Sequence, residues 1–224
     1  MCQSLSRLIS KYIRTIQIMS RIFVKRITNP TAATLDSIVA VVTRAYAGQK
    51  AIELFTGGDL SLTDSLWRSQ IRAGLNSGEV WIATDGTEEI MSVGVWFGPG
   101  KELYDTREVQ EYLTLLSEEG KNWWTHSYRP NSLKFFERCL GKKTRKENWF
   151  ANIICTDPRY EGRGLATSHI EAVYKRAIEA SSYLALGAAG TSLENFYLSA
   201  GFWERGRTGD GTTDWVCFVK GNTY

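Results

Sequence analysis

The sequence has few of the residues that build metal sites and disulfide frameworks. Among 224 residues there are four cysteines and two histidines. The cysteines, at positions Cys2, Cys139, Cys155 and Cys217, form no C-x-x-C pair and have no histidine at ligand spacing. Neither a zinc site nor a disulfide framework is therefore indicated, and we expect reduced thiols in an intracellular protein without a bound metal.

Long apolar runs are also missing. No uninterrupted apolar stretch approaches the roughly 20 residues that a membrane-spanning helix needs. The N-terminus lacks the continuous apolar core of a secretory signal. With 43% hydrophobic and 12% aromatic residues, the chain can still bury a substantial core, and its length suits one domain better than two. We predict a single α/β body with no membrane span.

The net charge of +3 is small and unevenly distributed. Six of the 27 Lys and Arg residues lie in the first 35 positions, which contain no acidic residue, so 21 basic residues face 24 acidic ones elsewhere, a net charge of −3. A nucleic-acid-binding surface would need clustered positive charge on the folded body. Nucleic acid is therefore not an expected partner.

Residues 1–20 form a basic leader whose role stays open. They combine Arg, Lys, Ser and apolar residues without an acid, which is the composition of a mitochondrial transit peptide. They equally fit a disordered extension ahead of Met19. The expected location is the cytoplasm, with the mitochondrial matrix as the alternative. In both cases the catalytic domain is expected to span residues 21–220.

Hydrophobic periodicity and turn residues predict the order β-α-α-β-β, an interruption, then β-α-β-α-β-β. The first helix, for example, has Leu35, Ile38, Val42 and Tyr46 on one face. Helices are predicted at 30–47, 62–75, 164–180 and 191–200, and strands at 21–28, 79–84, 90–97, 149–156, 183–188, 202–208 and 214–220.

The interruption at residues 98–147 is predicted to be a helical insertion. It contains many aromatic residues, among them Tyr104, Trp123, Trp124 and Tyr128. Such a long connection is more often functional than a plain loop. It could form a lid over a substrate, or it could cover sheet surface with core residues such as Leu113, Leu116, Phe136 and Leu140. The lone His126 within it is expected to be a surface or structural residue.

The segment Arg159-Tyr160-Glu161-Gly162-Arg163-Gly164-Leu165-Ala166 joins an apolar strand to an amphipathic helix. Glycine allows close approach of a ligand to the backbone, and the N–H groups at a helix start carry partial positive charge, so an anion such as a pyrophosphate is expected here. A Walker loop is excluded because Leu165-Ala166 follows the last glycine, and Thr167 fits a dinucleotide fingerprint poorly. An ordinary strand-to-helix turn is the alternative.

Two motifs together resemble the GNAT superfamily of N-acetyltransferases. The first is the loop, which matches R/Q-x-x-G-x-G/A through Arg159, Gly162 and Gly164, and the second is the segment Asn195–Phe202, which resembles F/L-Y-x-x-x-G-F. The resemblance covers about residues 21–220. Gly57-Gly58-Asp59, Trp96–Gly100 and Trp123-Trp124 resemble a fungal branch. The fold implied is a mixed, mostly antiparallel α/β (α+β) sheet of six to seven strands with helices on both faces.

The resemblance implies acetyl-CoA as co-substrate, with no metal. The backbone of the fourth strand would bind pantetheine and the loop would bind pyrophosphate, while Cys155 would pack rather than act as a nucleophile. The implied coenzyme-binding residues are Ile154, Cys155, Thr156, Arg159, Gly162, Arg163, Gly164, Leu165, Ala166, Thr167 and Asn195.

Tyr197 matches the tyrosine that protonates the departing thiolate in this superfamily, and a phenol pKa near 10 would keep it protonated. Many relatives have an asparagine seven residues earlier, where this chain has Gly190. Polar assistance would then come from Asn195, Thr191 or Ser192. No general base is assigned, since the fourth strand offers only Asn152 within it and Glu147 before it, and a water relay is preferred.

The resemblance implies an N-acetyltransferase acting by direct attack of an amine on the thioester. The acceptor would be an amine, either a small molecule or a peptide, and a homodimer is compatible with the resemblance. The alternative is a non-catalytic acyl-CoA-binding or sensing module, which would retain the phosphate loop without acid chemistry. A protein that binds RNA or membrane surfaces through its basic leader is disfavoured, because the rest of the chain has a net charge of −3.

Overall fold

The computed structural model describes residues 22–141, 145–189, 193–208 and 215–221. The strands of this part of the chain are β1 Phe23–Ile27, β2 Glu79–Thr84, β3 Ser92–Phe97, β4 Trp149–Thr156, β5 Leu184–Ala189, β6 Trp203–Arg207 and β7 Trp215–Lys220. The α-helices are α1 Ala32–Ala45, α2 Lys50–Phe55, α3 Thr63–Ser77, α4 Arg107–Leu113, α5 Glu118–Asn122, α6 Arg129–Leu140, α7 Leu165–Glu179 and α8 Glu194–Ser199.

The seven described strands form one sheet in the order β1-β2-β3-β4-β5-β7-β6. Neighbouring strands run antiparallel except β4 and β5, which run parallel. Helices α1 and α3 pack on one face, and α7 packs on the other. The predicted fold class, a mixed and mostly antiparallel sheet with helices on both faces, is confirmed.

Alternating side chains of the strands build a core on each side of the sheet. Val93 and Val95 of β3 join the cluster under α1 and α3, whereas Trp96 joins the cluster under α7. A bulge interrupts this register in β4: Val95 pairs with Ile153 and Trp96 pairs with Ala151, so Asn152 is the extra residue. A bulge bends its strand, and this one lies where β4 turns away from β5.

The helices predicted from periodicity are present, with shifted ends. Helix α1 begins after Thr31, whose hydroxyl accepts a hydrogen bond from the amide of Thr34 at 3.1 Å. Strand β3 begins at Ser92 rather than at residue 90, although the Met91 amide still bonds the Ala83 carbonyl. Helix α2 was not predicted, because six residues are too few to show a helical period. Residues 21, 142–144, 191–192 and 214 of the predicted elements lie outside the described residues.

The described part of residues 98–147, named here the helical segment, contains α4, α5 and α6. A π-helical stretch, Trp123–Tyr128, joins α5 directly to α6. Pro130 at the start of α6 explains this wider turn, since it lacks the N–H of a regular helix and its ring opposes the carbonyl four residues earlier. None of the helices in the described ranges is long and apolar enough to cross a membrane.

The helical segment is anchored on the end of α2. The Tyr112 hydroxyl and the Trp124 indole N–H both donate to the carbonyl of Phe55, at 2.9 and 3.0 Å. Leu116 and Phe136 of the segment are buried, with exposed fractions of 4% and 1%. The segment therefore supplies core residues to the body as well as reaching across its surface.

Candidate functional site

Strands β4 and β5 separate after a short parallel start. Their pairing covers three residue pairs, from Trp149 with Leu184 to Ala151 with Leu186. Beyond this point β4 continues to Thr156 and β5 continues to Ala189, without pairing to each other. The separation opens a cleft between the two strands, whose backbone N–H and C=O groups on these edges can bind an extended ligand.

A buried carboxylate anchors the loop that follows β4. Asp157 is 0% exposed, and the Arg159 backbone N–H and guanidinium donate to it at 3.1, 3.0 and 2.8 Å. The Arg44 guanidinium of α1 binds the same carboxylate at 2.7 Å. Arg159, followed by Arg44, holds the pKa of Asp157 well below its usual range. The start of the loop is thus tied to α1.

Two glycines shape the end of this loop. Gly162 and Gly164 have φ of 72° and 78°, in the left-handed region that favours glycine. Gly164 is the N-cap of the 15-residue helix α7 and provides no side-chain cap. The backbone N–H groups of the first turn, at Leu165, Ala166 and Thr167, therefore have no partner within the helix and carry partial positive charge. These three residues line the cavity.

The predicted coenzyme-binding residues fall into two groups. The first group lines the cavity that contains the cleft and comprises Ile154–Thr156 and Gly162–Thr167. Arg159 does not line this cavity, and its guanidinium is bound to Asp157 and, at 3.2 Å, to Glu89. Asn195 is exposed on α8 and also lies outside the cavity lining. Gly190, Thr191 and Ser192 lie outside the described residues.

Tyr197 reaches the cavity from α8. Its ring is 5% exposed and packs against Phe202 and Phe218, with ring centroids 5.6 and 5.3 Å away. Burial raises the pKa of Tyr197 well above its ordinary value, and the nearby Cys155 adds to this shift. The phenol is therefore protonated at neutral pH, so it can donate a proton or a hydrogen bond but cannot serve as a resident base.

Tyr46, the residue that follows α1, also lines the cavity, although its place in the apolar stripe of the predicted helix suggested only a packing role. Its hydroxyl donates to the Ile154 carbonyl at 3.4 Å. Burial, followed by Cys155 and Tyr197, raises the pKa of Tyr46 well above its ordinary value. Burial raises the pKa of the Cys155 thiol to about 12, so this thiol stays protonated and packs.

A buried polar network that the sequence did not suggest lies behind β4. The Ser92 hydroxyl donates to the Cys155 carbonyl at 2.6 Å, so it accepts from His169 Nε2 at 3.1 Å. Thr156 donates to the same hydroxyl at 3.2 Å. His169 is 0% exposed, and burial lowers its pKa to about 3. Through Ser92 of β3, this neutral histidine connects α7 to β4.

One cavity of about 1030 Å³ connects these features to the helical segment. We name its two ends. The loop end comprises residues 160–167, and the aromatic end comprises Phe55, Tyr104, Trp124, Tyr128, Phe136 and Trp215. Pockets for drug-sized ligands range from roughly 300 to 1,000 Å³, so this cavity is as large as the largest of them and can hold an extended ligand.

The described residues contain no group of three or more His, Cys, Asp or Glu side chains arranged to hold a metal ion. His126 is exposed in the π-helical stretch, and Glu147 is exposed in the turn before β4; neither lines the cavity. Asn152, in contrast, does line it.

Comparison with known proteins gives fold relatives only. No protein-family model matches the chain. A search of curated proteins also finds no match. Among solved structures, the histone acetyltransferase HPA2 and related acetyltransferase of Corynebacterium glutamicum matches with a TM-score of 0.61 and 17% identity, over 91% of this chain and 97% of that one.

A mosquito arylalkylamine N-acetyltransferase-like protein matches with a TM-score of 0.61 and 14% identity, over 89% of this chain and 99% of that one. A mutant form of agmatine N-acetyltransferase matches with a TM-score of 0.55 and 12% identity, over 88% and 98%. At these identities the comparison establishes a shared fold.

Proposed function

We propose that this protein is an acetyl-CoA-dependent N-acetyltransferase that transfers acetyl directly to an amine. The observation that supports this most strongly is one cavity containing three features. These are the cleft between β4 and β5, the loop end with its outward-facing amides, and the protonated Tyr197. A binding module would need only the first two, and the buried phenol adds the acid that acyl transfer requires.

The loop end fits a diphosphate. Gly162 has no heavy atom within 4 Å of the position that a Cβ would occupy, and Gly164 has only an Ile22 methyl group at 3.9 Å. A ligand can therefore come close to the backbone there. The first-turn amides of α7 supply hydrogen bonds without a metal ion. Arg163, whose guanidinium lies 5.0 Å from the Tyr160 ring centroid, adds positive charge beside the loop.

The cleft edge of β4 fits the amide groups of a pantetheine arm. Residues Ile154–Thr156 line the cavity, and β5 does not pair with them. An extended ligand bound there would replace the missing strand pairing. On the opposite side of β4 the Ser92 hydroxyl donates to the Cys155 carbonyl and is itself hydrogen-bonded to His169, which fixes this edge in place.

The proposed chemistry uses a neutral amine as the nucleophile. As the amine attacks the thioester carbonyl carbon, a C–N bond forms, the C–S bond breaks, and Tyr197 donates its proton to the departing sulfur. The one carboxylate among the described residues that line the cavity is Glu161, which belongs to the loop end and is not assigned as a base. The proton that the amine loses therefore passes to water. Tyr197 regains a proton from solvent before the next turnover.

The fold relatives support this proposal, since the three described above are named as acetyltransferases or acetyltransferase-like. We extend it to membership of the GNAT superfamily and, on Gly57–Asp59, Trp96–Gly100 and Trp123-Trp124, to its fungal branch. A cytoplasmic location is proposed as well. Its support is that Cys139, Cys155 and Cys217, the cysteines of the described part of the chain, are free thiols.

The test combines coenzyme binding with release of free CoA thiol when amines are offered. Replacing Gly164 with alanine places a Cβ at a φ of 78°, which costs on the order of 1–2 kcal/mol and obstructs the loop end. We expect calorimetry to show at least about tenfold weaker acetyl-CoA binding. Gly100→Ala is the matched control, since Gly100 has φ 80°, has open space around it and lies outside the cavity.

Equal weakening by both substitutions would assign the effect to general strain and would contradict the loop assignment. Tight acetyl-CoA binding without thiol release for any amine would instead support the binding-module alternative.

A further inference from the structure

The aromatic end of the cavity is one continuous set of rings. The Tyr128 ring centroid lies 5.1 Å from Phe55, 5.0 Å from Trp124 and 6.1 Å from Trp215. Trp124 lies 5.8 Å from Tyr104. These spacings are those of aromatic rings in contact. Among the rings that line this end, Phe55, Tyr128 and Trp215 are partly exposed, whereas Tyr104, Trp124 and Phe136 are buried. The aromatic end can therefore contact a planar ring on several sides.

Polar contacts hold three of these rings, Tyr104, Trp124 and Tyr128, in place. The Tyr104 and Tyr128 hydroxyls are hydrogen-bonded at 2.9 Å, and Trp124 donates to the Phe55 carbonyl. On β5, Gly187 leaves room for two more rings: an added Cβ would lie 2.7 Å from both Phe136 and Trp215. The aromatic end is thus preformed, which lowers the entropy cost of binding.

The aromatic end of the cavity has almost no charged side chains. The charged side chains among the described lining residues are Lys50, Glu161 and Arg163, and the last two belong to the loop end. Lys50 is exposed at the rim. An acceptor with a second ammonium group at the aromatic end would meet no carboxylate among the described residues that line this end, since Glu161 belongs to the loop end, and it would face the positive charge of Lys50. Unpaired charge is costly to bury, whereas a ring is favourable there.

We infer that the acceptor is a monoamine with an apolar, ring-bearing body, and that di- and polyamines are excluded. This inference rests on the proposed acetyl transfer. The ring would occupy the aromatic end, and the amine would extend along Phe150–Asn152 of β4 toward Cys155 and Tyr197, all of which line the same cavity. Fold relatives named for both kinds of amine exist, so the fold itself does not decide between them.

The first experiment compares 2-phenylethylamine and tryptamine with putrescine and agmatine. Thiol release gives kcat/KM, and calorimetry on the protein with CoA present gives amine affinity independently of turnover. We expect the aromatic amines to be favoured about 10- to 100-fold in both measurements, as burial of one ring predicts.

The outcomes separate the two proposals. Equal or better turnover of the diamines would overturn the inference and leave acetyl transfer intact. Binding of aromatic amines without any thiol release would support the inference while contradicting the proposed catalysis. No binding of aromatic amines would overturn the inference.

The second experiment alters the aromatic end itself. Tyr128→Leu removes a ring and should lower kcat/KM for tryptamine at least about tenfold, with little change in the KM of acetyl-CoA. Tyr128→Phe retains the ring and should recover most of the loss. Phe135→Leu is the control, because Phe135 is a buried ring of the same helical segment outside the cavity. An equal loss in Tyr128→Leu and Phe135→Leu would contradict a direct contact with the acceptor.

Lys50→Glu tests the charge argument with a surface substitution that the fold tolerates. It replaces the rim ammonium with a carboxylate in the first turn of α2, where negative charge also suits the helix. The ratio of diamine to aromatic kcat/KM should rise about two- to tenfold, since exposed ion pairs are weak. An unchanged ratio would show that rim charge does not select the acceptor.

Discussion

At the scale of single residues, Tyr197 combines burial with access to the cavity. The Tyr197→Phe variant keeps the ring packed against Phe202 and Phe218, so stability and acetyl-CoA affinity should change little. Turnover should fall about 100-fold, the low end for general acid catalysis, because a thiolate is a tolerable leaving group. Thiol release at matched amine concentration measures this loss.

The loss should shrink as pH rises past about 8.5, where a free thiol ionises without help. A folded Phe variant with the turnover of the parent protein near neutral pH would show that Tyr197 only packs.

His169 predicts how stability depends on pH. Its pKa is about 3 in the folded protein and about 6.5 in an unfolded chain. The unfolded chain therefore binds the proton more readily, so the stability that His169 contributes is full above pH ~6.5 and is lost as pH falls toward 3. The slope approaches about 1.4 kcal/mol per pH unit in this window. His169→Gln keeps an N–H for Ser92 but cannot titrate.

Urea unfolding between pH 6.5 and 4 should thus show a flatter profile for His169→Gln than for the parent protein. His126→Gln, at an exposed position, should retain the parent slope. Identical slopes for all three proteins would contradict the assigned role of His169.

At the scale of elements, the shape of the aromatic end depends on β5. Gly187→Ala should displace Phe136 and Trp215, because the new Cβ would overlap both rings. We expect kcat/KM for the amine to fall more than the affinity for acetyl-CoA, with a stability cost of about 1–3 kcal/mol from overpacking. Gly206→Ala is a matched control, since its Cβ would meet Cys139 Sγ at 2.9 Å outside the cavity. Similar kinetic effects in both variants would argue against a role for the rings in acceptor binding.

The sequence predicted the elements that local signals define. Glycines between an apolar strand and an amphipathic helix located the loop end, and periodicity located α1, α3 and α7. Contacts between distant segments left no such signal. The second partner of Asp157, Arg44, is 113 residues away in the sequence, and its contact depends on how α1 packs beside β4. Likewise, Tyr46 looked like an ordinary member of an apolar stripe until α1 was placed over the Ile154 carbonyl.

At the scale of the whole molecule, the proposed binding of acetyl-CoA would be coupled to folding. A ligand that binds only the folded state stabilises it by about 2.7 kcal/mol at 100 times its Kd. Each kcal/mol raises the Tm of a chain of this size by about 2–4 °C, so acetyl-CoA at 100 times its Kd should raise the Tm by about 5–11 °C. A truncated chain beginning at Met19 should show the same Tm and the same shift, because the described sheet begins at Phe23. Differential scanning calorimetry of both chains tests this, and a large loss in the truncated chain would show that the leader packs on the body.

The π-helical stretch has a consequence for how this protein can diverge. One residue turns an α-helix by about 100°. Deleting a single codon within Trp123–Tyr128 would therefore rotate the phase of α6 and carry Phe136 away from Gly187, replacing one wall of the cavity in one genetic step. Pro130 opposes this change, because a regular helix through it would lack a hydrogen bond and meet a steric clash. In a lineage that gains a different acceptor, the extra residue and the proline are expected to disappear together.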